Sequence, residues 1–284
     1  MKKRILYIAQ ELSPFLNGTE ISEKVLELAT FVQNNKDYEV RLFIPRYGCI
    51  NQRRHQLHEV IRLSGINLVI NDIDQPLIIK VGSVQKAKLQ VYFIDNDEYF
   101  KRKQTLKDSK NNIFKDNDER MMFFCQGVLE TLIMLRWSPD IIHCNGWMTN
   151  LLPVYLKTNY ANDPYFANSK VVCSIYDEGY KGSLNKRMSN KLEIDGISEE
   201  SANTIKKATF DNMNAIGIDH ADAIIIGSGV IGAAINFELS KKGWKTLNID
   251  RNSVAGYGST AASCAIIRVH YSTFDGCALA YEGY

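Results

Sequence analysis

No apolar run in the 284-residue sequence approaches the roughly 20 residues of a membrane-spanning helix, so a membrane location is not expected. The apolar stretch after Met1-Lys2-Lys3-Arg4 stops at Ala9, too short for the core of a secretory signal. Without secretion, the sequon Asn17-Gly18-Thr19 carries no weight. An excess of one charge is lacking too. The net charge of +2 singles out neither nucleic acid nor a membrane surface as a partner. The cysteines, Cys49, Cys125, Cys144, Cys173, Cys264 and Cys277, form no C-x-x-C pair, and several sit inside apolar runs. That pattern excludes a disulfide framework and a zinc ribbon, and it suits buried thiols in a reducing compartment. The expected location is cytoplasmic.

What is present is the composition of a globular protein, 45% hydrophobic and 23% charged, long enough for one large or two ordinary domains. Arg4 to Ala9 reads as a strand, and Gln10 to Glu20 as a loop with Pro14 and Gly18. Ile21, Val25, Leu28 and Val32 mark one face of a helix, and Tyr38 to Ile44 is a second strand closed by Pro45. A β-α-β start predicts a doubly wound, Rossmann-like α/β fold with a parallel sheet. In such folds the loop after the first strand lies at the carboxyl end of the sheet, where ligands bind.

Arg46 to Arg62 is basic, and a solvated helix face is the plainer reading than an anion contact. His55-x-x-His58 has helical metal-ligand spacing but no third ligand nearby in sequence, so no metal is expected. Leu77 to Val81 and Leu89 to Ile94 read as an antiparallel pair. Tyr99 to Asp118 is polar and long for a connection, hence a candidate lid. Glu119 to Leu135 reads as a core helix. Pro139 to Cys144 is a strand that runs through Asn145 and Gly146 into Trp147 and a helix over Met148 to Tyr160. His143 stands at that strand's carboxyl end. Lys170 to Ile175 is a further strand, and Phe210 to His220 a helix.

Asp219 to Ala234 divides the sequence. Ala223 to Ile226 is a short apolar strand, and Gly227, Gly229 and Gly232 then spell G-x-G-x-x-G ahead of an apolar helical pattern, Ile231 to Leu239. A second strand, Thr246 to Ile249, ends on Asp250, roughly 20 residues on, where a dinucleotide fingerprint places its ribose acceptor. The glycines would permit the tight turn, the approach to a pyrophosphate and close helix-strand packing.

The first part resembles bacterial starch or glycogen synthases over residues 2 to 228. The carriers are R-Y-G-C-I-N at Arg46 to Asn51, L-H-E-V-I-R-L-S-G at Leu57 to Gly65, V-Y-F-I-D-N at Val91 to Asn96, D-N-D-E-R at Asp116 to Arg120 and P-D-I-I-H-C at Pro139 to Cys144. The resemblance implies a GT-B amino-terminal domain. It also implies transfer of glucose from ADP-glucose to the 4-OH of an α-1,4-glucan with retention, needing no cofactor. His143 and Asn145 are carried over as the catalytic pair, with Asn17, Gly18, Asp95, Asn96 and Trp147 on the substrate. Departures accompany the match. The family's K-T-G-G-L, whose lysine and glycines meet the donor phosphates, is Asn17-Gly18-Thr19-Glu20-Ile21 here, and Glu20 would repel a phosphate. The second histidine of H-x-H-x-W is Asn145, and Tyr176-Asp177 stand where many members have His-Asn.

From Asp222 onward the sequence resembles flavin-dependent oxidoreductases of the D-amino-acid-oxidase or glycine-oxidase type. Gly227, Gly229, Gly232, Asp250 and the Ser/Thr-rich stretch with Ser259 and Thr260 are the implied FAD-binding residues. The expected layout is a synthase-like domain over 1–226 followed by an incomplete dinucleotide-binding βαβ unit over 227–284. Either the tail adds its strands to the first sheet or it lacks a core, and Ala265 to Val269 would then be an exposed edge. The switch suggests two genes joined where they share a short sequence. Transfer would be impaired, since GT-B chemistry happens between two domains and one is seen. The alternatives are an FAD-dependent oxidoreductase fragment on a synthase-like leader, or a non-catalytic glucan-binding module.

Overall fold

The computed structural model describes residues 2–176, 178–203, 205, 207–222, 225–226 and 247–249. Strand β1 (Lys3–Ala9) is buried over its last five residues, as a central parallel strand covered on both faces should be. Helix α1 (Glu20–Gln33) follows. Thr19 caps it, its hydroxyl accepting from the Ser22 N–H at 3.2 Å, and Ile21, Val25, Ala29 and Val32 turn inward. Strand β2 (Tyr38–Pro45) then pairs parallel with β1, Ile5 opposite Val40 and Ile8 opposite Phe43.

The basic segment is not a helix. Asn51 Oδ1 accepts from the Arg54 N–H at 3.0 Å, and Gln56 takes φ +51, so the chain turns repeatedly. His58 lies in the short strand β3 (His58–Glu59), while His55 packs its ring on Phe15, centroids 4.9 Å apart. Helical spacing for this pair is therefore wrong, because the left-handed Gln56 lies between them and His58 opens a strand. No cluster of three metal-ligating side chains occurs among the described residues.

Strands β4 (Asn67–Ile70) and β5 (Ile73–Pro76) form a separate hairpin. Strand β6 (Ile78–Val84) pairs antiparallel with β7 (Leu89–Asp95), which returns parallel beside β2. The polar segment after it begins with a short helix, α2 (Asp97–Phe100), whose Tyr99 and Phe100 are buried. The remainder is tied down. Arg102 forms a two-pronged ion pair with Asp116, Leu106 is buried, and its carbonyl accepts from Asn117 Nδ2 at 2.8 Å. Helix α3 (Asn117–Met134) is core on most of its surface, with Met121, Met122, Phe123 and Phe124 fully buried. Each such side chain contributes roughly 1.5–3 kcal/mol of burial.

Strand β8 (Ile141–Asn145) lies on the other side of β1. The helix expected from Met148 is shorter and broken. A 3-10 turn over Trp147–Thr149 precedes α4 (Leu151–Lys157), and Thr158 leaves helical geometry. Strand β9 (Lys170–Ser174), α5 (Met188–Ile194), α6 (Glu199–Asn203) and α7 (Phe210–Asp219) follow. Two short strands, β10 (Ile225–Ile226) and β11 (Leu247–Ile249), complete a nine-stranded sheet ordered β10–β11–β9–β8–β1–β2–β7–β6–β3. From β10 to β7 its neighbours are parallel.

The two tail strands described thus join the first sheet. Leu247 is registered with Cys173 and Asn248 with Ser174 on the outer edge of β9. Asp222 fills the rung before them. Its N–H donates to the Val171 carbonyl at 2.9 Å, and its carboxylate accepts from the Val171 N–H at 2.8 Å. Gly227, Gly229, Gly232, Asp250, Ser259, Thr260 and the 265–269 stretch lie outside the described residues.

Candidate functional site

The carboxyl ends of β1, β2, β7, β8 and β9 share one edge of the sheet, which brings Gln10, Arg46, Asp95, Asn145 and Ser174 to the same side. Two of the expected residues, His143 and Asn145, alternate on β8 and lie opposite Tyr7 and Ala9. His143 is buried. Its Nε2 is 2.8 Å from Ser174 Oγ on β9, and its ring is 5.3 Å from that of Tyr7. Burial holds its pKa down at about 4, so the imidazole is neutral near pH 7. It can exchange hydrogen bonds with a hydroxyl but brings no cation.

Asn145 is fully buried and engaged at both ends of its amide. Nδ2 donates to the His143 carbonyl at 3.0 Å and the Ile8 carbonyl at 3.3 Å, while Oδ1 accepts from the Tyr176 hydroxyl at 2.9 Å. Burial raises the Tyr176 pKa, so that hydroxyl remains a donor. Gly146 then turns at φ +84, and a β-carbon there would stand 2.6 Å from Gln10 Oε1 and 3.0 Å from Ile21 Cδ1. The positive φ favours glycine, and its missing β-carbon leaves room for the Gln10 carboxamide.

Trp147 is 3% exposed and meets Tyr180 edge-on, ring centroids 4.8 Å apart. Its indole packs the turn and offers no open face. Asp95 is equally internal, held between Arg46 Nε at 2.9 Å and Lys80 Nζ at 2.7 Å. Asn96 caps α2, its Oδ1 accepting from the Tyr99 N–H at 3.0 Å, and its Nδ2 donates to the Pro76 carbonyl at 3.0 Å. By contrast Asn17 and Gly18 are exposed. Asn17 Oδ1 accepts from the Ser13 hydroxyl at 2.9 Å, and Gly18 has φ +95 with open space around it.

The structure therefore brings His143, Asn145 and Trp147 together around the end of β8, where Gly146 meets Gln10 and Ile21, and it places Asp95 and Asn96 at the end of β7 on the same edge. Sequence reasoning missed Tyr7, Gln10, Ser174 and Glu178, which complete the surroundings. Two of these, Gln10 and Ser174, stand at or just past the last residues of parallel strands, and that position is the signal that could have found them. Glu11, next to Gln10, is buried, and desolvation raises its pKa against a Thr19 hydrogen bond that lowers it.

Residues 4–231 match the family model of the starch synthase catalytic domain. Residues 222–283 match that of the FAD dependent oxidoreductases, so the two matches overlap over residues 222–231. Among curated proteins, the glycogen synthase of Chlorobium limicola is 37% identical over 226 residues, 78% of this chain and 45% of that protein. That of Chlorobium luteolum is 36% identical over 227 residues with the same coverage, and that of Chlorobaculum tepidum 36% over 228. The chain spans about half the length of the curated relatives it matches. Among solved structures, the catalytic domain of starch synthase IV from Arabidopsis thaliana, bound to ADP and acarbose, superposes with a TM-score of 0.67 at 18% identity. The superposition covers 95% of this chain and 56% of that one and shows the shared GT-B, Rossmann-like α/β fold. No described helix is long and apolar enough to cross a membrane. On its fold and on the family match over 4–231, the chain belongs to the starch synthase catalytic domain family.

Proposed function

We propose that this chain is the acceptor-side part of a glucosyltransferase of the starch and glycogen synthase type. Its ligand is an α-1,4-glucan at the carboxyl edge of the sheet, and the reaction class is retaining transfer of glucose from ADP-glucose to the 4-OH. The observation that carries this reading is the family match over residues 4–231 together with the His143-Asn145-Gly146-Trp147 turn at that edge. In this reading neutral His143 hydrogen-bonds a sugar hydroxyl, Asn145 fixes the turn through Tyr176, and the exposed Asn17-Gly18 loop contacts the glucan. The domain boundary falls at residue 226. FAD would be held by Gly227, Gly229, Gly232, Asp250, Ser259 and Thr260, and supports only a secondary reading as an oxidoreductase segment. The family match over residues 222–283 favours that secondary reading.

The test is transfer of radiolabel from ADP-glucose to glycogen by the full chain, beside retention of the chain on immobilised amylose. Retention with slow transfer supports the acceptor-side reading. Absence of both, together with a yellow chromophore released on denaturation, would replace it with the flavin reading.

A further inference from the structure

A knob and a groove lie side by side on the outer edge of the sheet, beyond β6. The Val60 N–H donates to the Ile79 carbonyl at 2.8 Å, and the Leu77 N–H donates to the Ile66 carbonyl at 2.8 Å, so the chain leaves this edge after Val60 and rejoins it at Ile66. Between them runs a 3-10 turn, Ile61–Leu63. Leu63 is buried, whereas Ile61 is 83% exposed, more than any other large hydrophobic side chain among the described residues. Ser64 clamps the turn, its hydroxyl donating to the Val60 carbonyl at 3.1 Å and accepting from the Ile79 N–H at 3.0 Å. Ile61 is thus presented on a fixed backbone, which lowers the entropy cost of seating it in a partner. Arg62 beside it is exposed and enters none of the ion pairs among the described residues.

The groove, about 420 Å³, opens at Ile66 and runs between β4, α3 and the end of α5. Leu68, Val69, Tyr160 and Ile194 wall it, with Val69 51% and Ile194 52% exposed. Glu130 and Asp195 supply its charge, and none of the described residues that line it is a lysine, arginine or histidine. Both carboxylates are fixed by neutral donors, Glu130 Oε1 by the Tyr160 hydroxyl at 2.6 Å and Asp195 Oδ2 by Gln126 Nε2 at 2.9 Å. A groove that is apolar and acidic selects an occupant that is apolar and basic, and Ile61-Arg62 is such a pair. The exposure of Ile61 shows that it does not fill the groove of its own chain. Knob and groove sit on one short segment, so a two-fold axis beside Gly65 carries each knob to the other copy's groove. Strand β3 is the outermost strand here, and β10 stands at the opposite end of the sheet, roughly 38 Å away. The described strands of the tail therefore leave this edge uncovered.

We propose that this edge is a two-fold interface between copies of the chain, in which Ile61 of each copy enters the other's groove and Arg62 faces Glu130 and Asp195. The occupant is a second copy because the chain itself displays the residue types that the groove selects. A contact of this size belongs with transient interfaces rather than obligate ones. The proposal goes beyond the glucan reading and does not depend on it.

The experiment is sedimentation velocity of the full chain from about 1 to 300 micromolar, the range in which a small interface forms. Wild type is expected to pass reversibly from one chain to two. Ile61→Asp and Arg62→Glu alter exposed side chains, so the fold is kept, and each should weaken dimerisation roughly tenfold. Glu130→Lys should do the same, and combining it with Arg62→Glu should recover most of what either loses. A wild type that stays single at every concentration overturns the proposal, whether the groove then takes a saccharide or a foreign basic segment. Growth past two chains overturns it as well, since a two-fold contact closes on itself. Dimerisation untouched by all the variants would place the contact elsewhere, and losses in both single charge variants without recovery in the combined one would contradict the pairing of Arg62 with Glu130.

Discussion

The Tyr176 hydroxyl donates to Asn145 Oδ1 at 2.9 Å, and this one contact ties the segment after β9 to the turn after β8. Asn145 has no exposed surface, so its carbonyl oxygen has no water to fall back on. Tyr176→Phe would leave that acceptor bare. The expected cost is about 1–3 kcal/mol of stability, read as a lower midpoint in urea unfolding with an unchanged slope. A variant as stable as wild type would show that the contact does not hold the turn.

His143 makes the fold sensitive to acid. Its folded pKa is depressed to about 4 from an ordinary 6.5, so the unfolded chain takes up the proton first. Stability is therefore full above about pH 6.5 and falls as the pH drops toward about 4. The loss is on the order of 3 kcal/mol. His143→Gln should flatten that part of the profile in chemical denaturation measured from pH 7 to pH 4. Asp195 acts in the opposite sense. Burial raises its carboxyl to about 6, so its contribution is lost as pH rises through the range between its ordinary value and 6. Asp195→Asn should remove that opposing slope and steepen the acid limb.

Asp95, expected on the substrate, is held between two largely buried cations. Removing its charge leaves Arg46 and Lys80 facing each other, both largely buried. Asp95→Asn should destabilise by about 3–5 kcal/mol, read by guanidinium unfolding. A stable variant with lost glucan binding would restore the substrate role.

Gly146→Ala forces a β-carbon to within 2.6 Å of Gln10 Oε1 at a positive φ. The Gln10 carboxamide must swing away, and the positive φ adds about 1–3 kcal/mol of backbone strain. Glucan retention on immobilised amylose should weaken along with stability. Unchanged retention would place the glucan elsewhere.

Much of this was legible in the sequence because local chemistry and tertiary fold agree. The apolar run of β1, the α1 face with Ile21 and Val25, and the Thr19 cap each report a locally determined element, and the parallel sheet follows from their order. His143 and Asn145 were placed at a strand end by the same logic. What stayed hidden depends on distant partners. Nothing local in Val91 to Asn96 says that Asp95 meets Arg46 and Lys80, or that Asn96 is a helix cap. Trp147 reads as a sugar platform from its motif, but Tyr180 closes over it. His55 and His58 keep helical spacing only on paper, because Gln56 turns the chain and His58 opens a strand. The Glu20–Glu178 contact spans the whole domain, and no periodicity could announce it.

The central claim is that the carboxyl edge around His143 and Asn145 binds glucan. Isothermal titration of the full chain with maltopentaose tests it most directly, with the C2 proton of His143 followed by NMR in the same samples. The account predicts saturable binding with a shift of the His143 resonance at constant pH. Saturable binding that leaves His143 unmoved, or no binding at all, would contradict it.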